Sequence, residues 1–475
     1  MVVGEVAVET DVVVIGGGPG GYAAAIRLGQ LGKSVVLVEK EQLGGVCLNR
    51  GCIPSKSLIH AASEFSRIAG LSKMGIRLPE EKATFEMIEW QEWKNSVVSQ
   101  LNKGVGQLCE ENGVTVVYGT ANFLSADRLG VETGNDFETF KFQQAIIATG
   151  ARPFVPTILQ RDGIHILDST DILQLEEIPQ NLAIIGGGYI GMELGMAFAK
   201  LGTAVTVIEA TGQILPQLPT HLVREVNKNN KKLGIMVKTS TKVESAVIKE
   251  GQVELRVTSE KAGSENHSFN KVLVTIGRIP NTEELGLEQA GVKVDDRGYI
   301  HVDSAGRTEQ SHIFAIGDVT PGPAMAHRAT KQGIVAAEVI AGLSSSAADA
   351  LVPFVIFTEP QIAGVGLTRD EAKEQGYNAS ATSFPYRANG RALATDEAEG
   401  FAEIIMDVDN NTLLGMFVVG ADASNLIGEG VFALEMAARA EDLALIMHPH
   451  PTLSEIWQEA AEGALGHAIH MMNKK

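Results

Sequence analysis

Two stretches of this chain repeat one pattern at a constant offset of 170 residues: "VVVIGGGPGGYAAAIRLGQLGKSVVLVEK" at 12–40 and "LAIIGGGYIGMELGMAFAKLGTAVTVIEA" at 182–210. Each copy has a β-branched apolar run, a G-x-G-x-x-G turn, an Ala-rich helical stretch, a Leu-Gly break and a second apolar run ending in an acid. Strand, tight turn, helix and second strand in that order form a unit that binds a dinucleotide. Gly16, Gly18 and Gly21, and again Gly186, Gly188 and Gly191, let the backbone turn sharply and approach a pyrophosphate, which rests on the positive end of the following helix. Glu39 and Glu209 are placed to accept hydrogen bonds from a ribose. One such turn alone marks little more than a tight strand-to-helix connection. Two copies with equal spacing predict an α/β protein with two Rossmann-like dinucleotide-binding domains.

The two sites are expected to hold different dinucleotides. Glu209 would repel a 2′-phosphate, and "ATGQILPQLPT" (210–220) has no Lys or Arg to neutralise one, so the second site is read as taking NAD rather than NADP. Three apolar strands that end in glycine follow: "QAIIATGARP" (144–153), "VLVTIGRIPN" (272–281) and "HIFAIGDVTP" (312–321). In an open parallel sheet such strand ends line the ligand crevice, which makes Thr149, Gly150, Gly277 and Asp318 candidate cofactor contacts. The competing reading of Asp318 is a turn or helix N-cap residue. After about residue 350 the texture changes to short alternating runs, "FAEIIMD" and "TLLGMFVVG", and then to the helical "GVFALEMAARAED" (430–442). This predicts a separate α+β domain with an antiparallel sheet, entered through the small, polar "AGLSSSAADALVP" (341–353).

A chain of 475 residues has room for several domains. Its net charge of −19 argues against nucleic acid and against anionic membrane surfaces as partners, while leaving a basic protein partner open. No apolar run approaches the ~20 residues that span a bilayer. The opening "MVVGEVAVET" lacks the basic start of a signal peptide and the Arg/Ser-rich character of a transit peptide. The expected location is the cytoplasm, or an organelle if a transit peptide has already been removed.

The chain has 3 cysteines, too few for a disulfide framework. Cys109 follows helical apolar spacing in "VGQLCEENGV" and reads as a small core hydrophobe. Cys47 and Cys52 stand together in "GGVCLNRGCIPSK" (44–56), a C-x4-C spacing that is neither a thioredoxin motif nor a zinc ribbon, and no metal site is expected. In a regular helix, positions five apart have Cα atoms over ~8 Å apart, too far for a disulfide. If the two bridge, the segment must be a distorted first turn, a path that Gly44, Gly45, Gly51 and Pro54 permit.

"GGVCLNRGCIPSK" resembles the redox-active segment of the pyridine nucleotide-disulfide oxidoreductases, and the likeness covers essentially the whole chain. "HPHPTLSE" (448–455) is similar to the family's His-x-His-Pro-Thr-x-x-Glu signature, and "TEPQIAGVG" (358–366) looks like a strand of its interface domain. The resemblance implies a Cys47–Cys52 disulfide, His450 as proton acceptor and Glu455 as the carboxylate that orients it. It implies Lys56 beside a flavin and paired with Glu193, and a helix start at Ala326 and His327 facing the flavin pyrimidine. It also implies an FAD-binding domain over 1–150 completed by 275–348, an NAD-binding domain over 151–274 and a dimerisation domain over 349–475.

The branch with the nearest motifs passes electrons from protein-bound dihydrolipoamide through the disulfide and FAD to NAD+. The implied partners are dihydrolipoyl groups on an acyltransferase or on a glycine cleavage H-protein, within a homodimer whose second subunit supplies the base. Members acting on glutathione would carry NADP-binding arginines after the second unit, and those acting on mercuric ions a C-terminal vicinal cysteine pair; this chain has neither. A non-catalytic docking subunit would not need the full cofactor and thiol apparatus. Val46, Pro449 and Arg50 depart from the usual motif, and Arg50 is expected to lower a cysteine pKa by standing as a positive charge between the thiols.

Overall fold

The β-branched run at the start of the first repeat forms strand β1 (Val8–Ile15), and the glycine turn delivers the chain into helix α1 (Pro19–Gln30), with strand β2 (Val35–Glu39) returning parallel to β1. A computed structural model describes residues 7–77, 83–348 and 350–473. The first six residues of the opening segment read for targeting, residue 349 of the expected boundary and residues 474–475 lie outside the described residues.

The first sheet runs, in residue ranges, 114–118, 35–39, 8–15, 136–147, 128–133 and 120–125. Strand Ile313–Ala315 pairs parallel with Ala145–Ile147, so a segment from far along the chain joins this sheet. Helix Ala326–Ile340 then packs against α1 so closely that a Cβ on Gly333 would stand 2.4 Å from the Gly20 carbonyl oxygen. Arg27 and Glu338 tie the two helices by an ion pair of 2.8 Å.

The second repeat forms a parallel sheet in the order 236–238, 204–208, 181–185, 271–274 and 166–167, with helix Tyr189–Lys200 after its glycine turn. An antiparallel three-stranded sheet (241–249, 252–259, 263–269) covers part of it. The last segment forms an antiparallel sheet ordered 354–356, 361–366, 413–420, 401–407 and 379–385, as the alternating pattern predicts. The expected helix over 430–442 is instead two helices, Ala423–Glu435 and Ala440–Leu445. The break is made by strand capture: Leu413 N–H donates to the Ala438 carbonyl and Ala440 N–H to that of Asn411, which pulls the backbone out of helical bonding.

One apolar cluster joins Leu58, Met192, Phe198 and Phe417, packing the cysteine-bearing segment, the second repeat and the last sheet together. Cys109 is fully buried and free, as its spacing predicts. Among the described residues no helix is long and apolar enough to cross a membrane, and no group of three or more His, Cys, Asp or Glu residues could hold a metal ion.

Candidate active site

The paired cysteines stand at a break between two helices, α2 (Gly45–Arg50) and α3 (Cys52–Arg67). Gly51 lies between them at φ −133° and ψ −104° and carries the distortion that the spacing demanded. The break brings the Cα atoms of Cys47 and Cys52 to 4.6 Å, and their sulfurs are bonded. A Cβ on Gly51 would lie 2.9 Å from the Val46 carbonyl oxygen. Cys52 is the first residue of the 16-residue α3, where the helix's partial positive charge favours a thiolate. Arg50 does not stand as a free positive charge between the thiols: its guanidinium is paired with the Glu41 carboxylate.

The cysteine segment is docked on the first dinucleotide turn. Gly44 and Gly45 take φ of +92° and +58°, and a Cβ on Gly45 would stand 2.7 Å from Gly18 Cα. Gly44 N–H donates to the Gly17 carbonyl at 2.7 Å. A cavity of about 810 Å³ is lined by Gly16, Gly18, Glu39, Cys47, Cys52 and Lys56, and also by Thr149, Gly150, Glu193, Asp318 and Ala326. Residues from the turn after β1, from β2, α2 and α3, and from four distant segments thus meet around the disulfide.

This lining suits a flavin dinucleotide. Gly18 has no atom within 4 Å of a would-be Cβ, so its backbone faces open space. Glu39 accepts from Gly17 N–H at 2.7 Å and from Glu41 N–H at 2.8 Å, which fixes the carboxylate at the turn with lone pairs to spare for a ribose hydroxyl. The Arg278 Nε is buried without a hydrogen bond, 3.9 Å from the Asp318 carboxylate with which it is ion-paired, which leaves its N–H for a polar ligand. Burial pushes the Asp318 carboxyl pKa up, against the opposing charges of Arg278 and Arg328.

The second turn repeats the first. Gly186 takes φ +103°, Gly188 is open, and Glu209 accepts from Gly187 N–H and Thr211 N–H, each at 2.7 Å. Gly21 and Gly191 serve packing: a Cβ on either would stand 1.8 Å or 2.2 Å from the carbonyl oxygen of Gly16 or Gly186. Gly277 lies outside the cavity lining, and its carbonyl accepts from Phe154 N–H. His327 is also outside it, because its ring turns to the Pro353 carbonyl at 2.7 Å; Ala326 is the part of that helix start that faces the cavity.

Lys56 Nζ lies 2.8 Å from Glu193 Oε2, joining α3 to the helix of the second repeat. Glu193 is 3% exposed, and its other oxygen accepts from Phe357 N–H at 2.8 Å. The Phe357 ring lies 4.8 Å from the Lys56 ammonium, a cation–π contact. Phe357, Arg278 and Tyr189 are members of the site that the motifs did not single out. Arg278 had a signal, since it follows Gly277 in a strand end that does line the crevice.

His450 Nδ1 lies 2.8 Å from Glu455 Oε1, and Glu455 Oε2 accepts from Thr452 N–H at 2.8 Å. Burial alone would raise the Glu455 pKa, but the Thr452 amide and the His450 ring hold it below the usual carboxylate range. The His450 ring is 77% exposed, and neither member of this pair lines the cavity. A single chain therefore does not bring the disulfide and the His–Glu pair into one enclosed site.

The match to the pyridine nucleotide-disulphide oxidoreductase signature spans residues 10–333, and the match to that family's dimerisation domain spans 352–461. The chain belongs to the pyridine nucleotide-disulphide oxidoreductase family. It is 46% identical to the dihydrolipoyl dehydrogenase of Geobacillus stearothermophilus and 43% identical to that of Halobacterium salinarum, each alignment covering 100% of both proteins. Among solved structures, LpdA from Mycobacterium tuberculosis superposes with a TM-score of 0.90 at 25% identity, over 95% of this chain and 99% of the other. The HOCl-induced flavoprotein disulfide reductase RclA of Escherichia coli superposes at 0.84 with 28% identity, over 95% and 99%.

Proposed function

We propose that this protein is a flavin disulfide oxidoreductase that reoxidises protein-bound dihydrolipoamide with NAD+, binding FAD and NAD and working as a homodimer. The observation that carries this reading is the Cys47–Cys52 disulfide docked on the first dinucleotide turn and sharing one cavity with Lys56 and Asp318. Full-length likeness to dihydrolipoyl dehydrogenases supports the substrate. We assign residues 1–150 with 275–348 to FAD, 151–274 to NAD and 349–475 to subunit pairing. The physiological thiols would sit on an acyltransferase or on a glycine cleavage H-protein, in the cytoplasm or an organelle.

The chain's own residues divide the work. His450, oriented by Glu455, accepts the proton of one substrate thiol, and the thiolate attacks Cys47 Sγ, breaking the S–S bond. Cys52 leaves as a thiolate at the start of α3, where the helix stabilises it. The second substrate thiol, once deprotonated, displaces Cys47 and closes the oxidised lipoyl ring, leaving the enzyme as a dithiol. FAD, when bound, supplies a two-electron carrier between that dithiol and NAD+. Lys56, Glu193 and Asp318 would hold charge and orientation around it, while Gly16, Gly18, Glu39, Thr149, Gly150 and the helix start at Ala326 would form its cradle, with Gly21 keeping the turn closed. Gly186, Gly188, Gly191, Glu209 and Gly277 would hold NAD. Because His450 does not line the cavity of its own chain, the exchange step would draw on the His450 of a second copy.

Anaerobic addition of dihydrolipoamide and then NAD+ to the purified protein tests this. The expected result is stoichiometric NADH, lost in Cys52→Ser. Reduction of glutathione disulfide with NADPH in place of that reaction would overturn the substrate assignment.

A further inference from the structure

His448 and His450 are two residues apart in one segment, yet they face opposite surroundings: the His448 side chain is 4% exposed. Both nitrogens of the buried ring meet oxygen. Nε2 lies 2.7 Å from Glu429 Oε1 on helix Ala423–Glu435, and Nδ1 lies 3.1 Å from the Ile446 carbonyl oxygen. Neither oxygen has a hydrogen to offer, and a neutral imidazole has only one N–H. The ring satisfies both contacts only as an imidazolium.

Residues 446–454 form no regular helix or strand. On its C-terminal side this segment is tied down by Glu455, which holds His450 and Thr452, and by Asn389, which donates to the Thr452 carbonyl at 2.9 Å. On its N-terminal side His448 ties it to Glu429. The groups that meet His448 are Glu429 from helix Ala423–Glu435, Gln458 and the charge of Glu455 from helix Glu455–Ala464, and the Ile446 carbonyl of its own segment.

We propose that His448 is a positioning residue for the thiol-handling base: as an imidazolium gripped by Glu429 and the Ile446 carbonyl, it pins the segment that carries His450 to helix Ala423–Glu435. This rests on the reading of His450 as the base. The hydrogen bond to Glu429 raises the His448 pKa, against the effect of burial. A raised folded-state pKa means that the clamp is complete below the ordinary imidazole value and is lost as pH rises through the raised one.

The test uses the flavin-loaded protein in its native oligomer and three readouts. Hydrogen–deuterium exchange of residues 446–454, corrected for the intrinsic effect of pH, is followed from about pH 6 to about pH 9. Protection should fall with rising pH in the parent and be low throughout in His448→Gln and in Glu429→Gln. In steady-state dihydrolipoamide oxidation each variant should lower kcat about tenfold with KM within about twofold, and the double variant should be no worse than either single one. NADH:ferricyanide turnover, which needs no thiol base, should be retained. Protection that is independent of pH and equal in parent and His448→Gln overturns the clamp. Altered exchange with an unchanged kcat overturns the positioning role. If even the parent fails to oxidise dihydrolipoamide while exchange behaves as expected, the substrate assignment fails and the clamp is supported.

Discussion

At the scale of single residues, the site depends on a few groups with separable roles. Cys52 opens a helix and Cys47 faces the cavity with it, so replacing either with serine should cut dihydrolipoamide oxidation by about a thousandfold or more while NADH:ferricyanide turnover survives. Glu455 has a lowered pKa, so its carboxylate stabilises the fold above the ordinary carboxylate range, and that contribution is lost as pH falls through the lowered value. Glu455→Gln should therefore flatten the fall in Tm between about pH 5 and about pH 3, and should lower kcat about tenfold or more through the unfixed His450. The sequence marked the two cysteines and the His–Glu pair through the resemblance carried by "GGVCLNRGCIPSK" and "HPHPTLSE", since spacing alone left open both a bridge and a plain helix start. The engagement of Arg50 by Glu41 was not legible, because nothing in a run of residues says which way an arginine turns.

At the scale of elements, the two glycine turns behave as independent devices. A side chain on Gly21 or Gly191 would collide with the carbonyl of the first glycine of its own turn, so Gly21→Val should lose bound flavin on purification. Gly191→Val should keep the flavin and weaken nucleotide binding, seen as a raised KM for NAD+. The joint between α3 and helix Tyr189–Lys200 rests on Lys56 and the buried Glu193. Lys56→Met leaves that carboxylate without its counter-charge and should cost about 2–3 kcal/mol in urea unfolding, below the range for fully buried pairs because Lys56 is 31% exposed. Strand and helix types were readable from periodicity and from the repeat. The helix break near residue 437 was not, because it is made by bonds to a strand that the helical pattern does not contain.

At the scale of the molecule, the His450 segment belongs to a face rich in exposed apolar side chains, including Phe432 at 69%, Leu445 at 83% and Met447 at 94%. Such a face fits an interface between copies in a chain that carries the family's dimerisation domain. Phe432→Asp combined with Leu445→Asp should yield monomers by sedimentation, with dihydrolipoamide oxidation lost and NADH:ferricyanide turnover kept. A monomer that retains full thiol oxidation would show that one chain completes the site alone.

The sequence by itself determined that two dinucleotide units exist, which acids end them, where the paired thiols stand and that an α+β segment follows. These are short-range properties, written in spacing and turn chemistry within a few dozen residues. Only the tertiary structure decided that Ile313–Ala315 pairs with Ala145–Ile147, that Glu193 also holds the Phe357 amide 164 residues away, and that Arg50 is engaged by Glu41. Those outcomes depend on how whole sheets and helices pack, and packing selects partners by shape and burial across the chain, for which no local pattern carries a code.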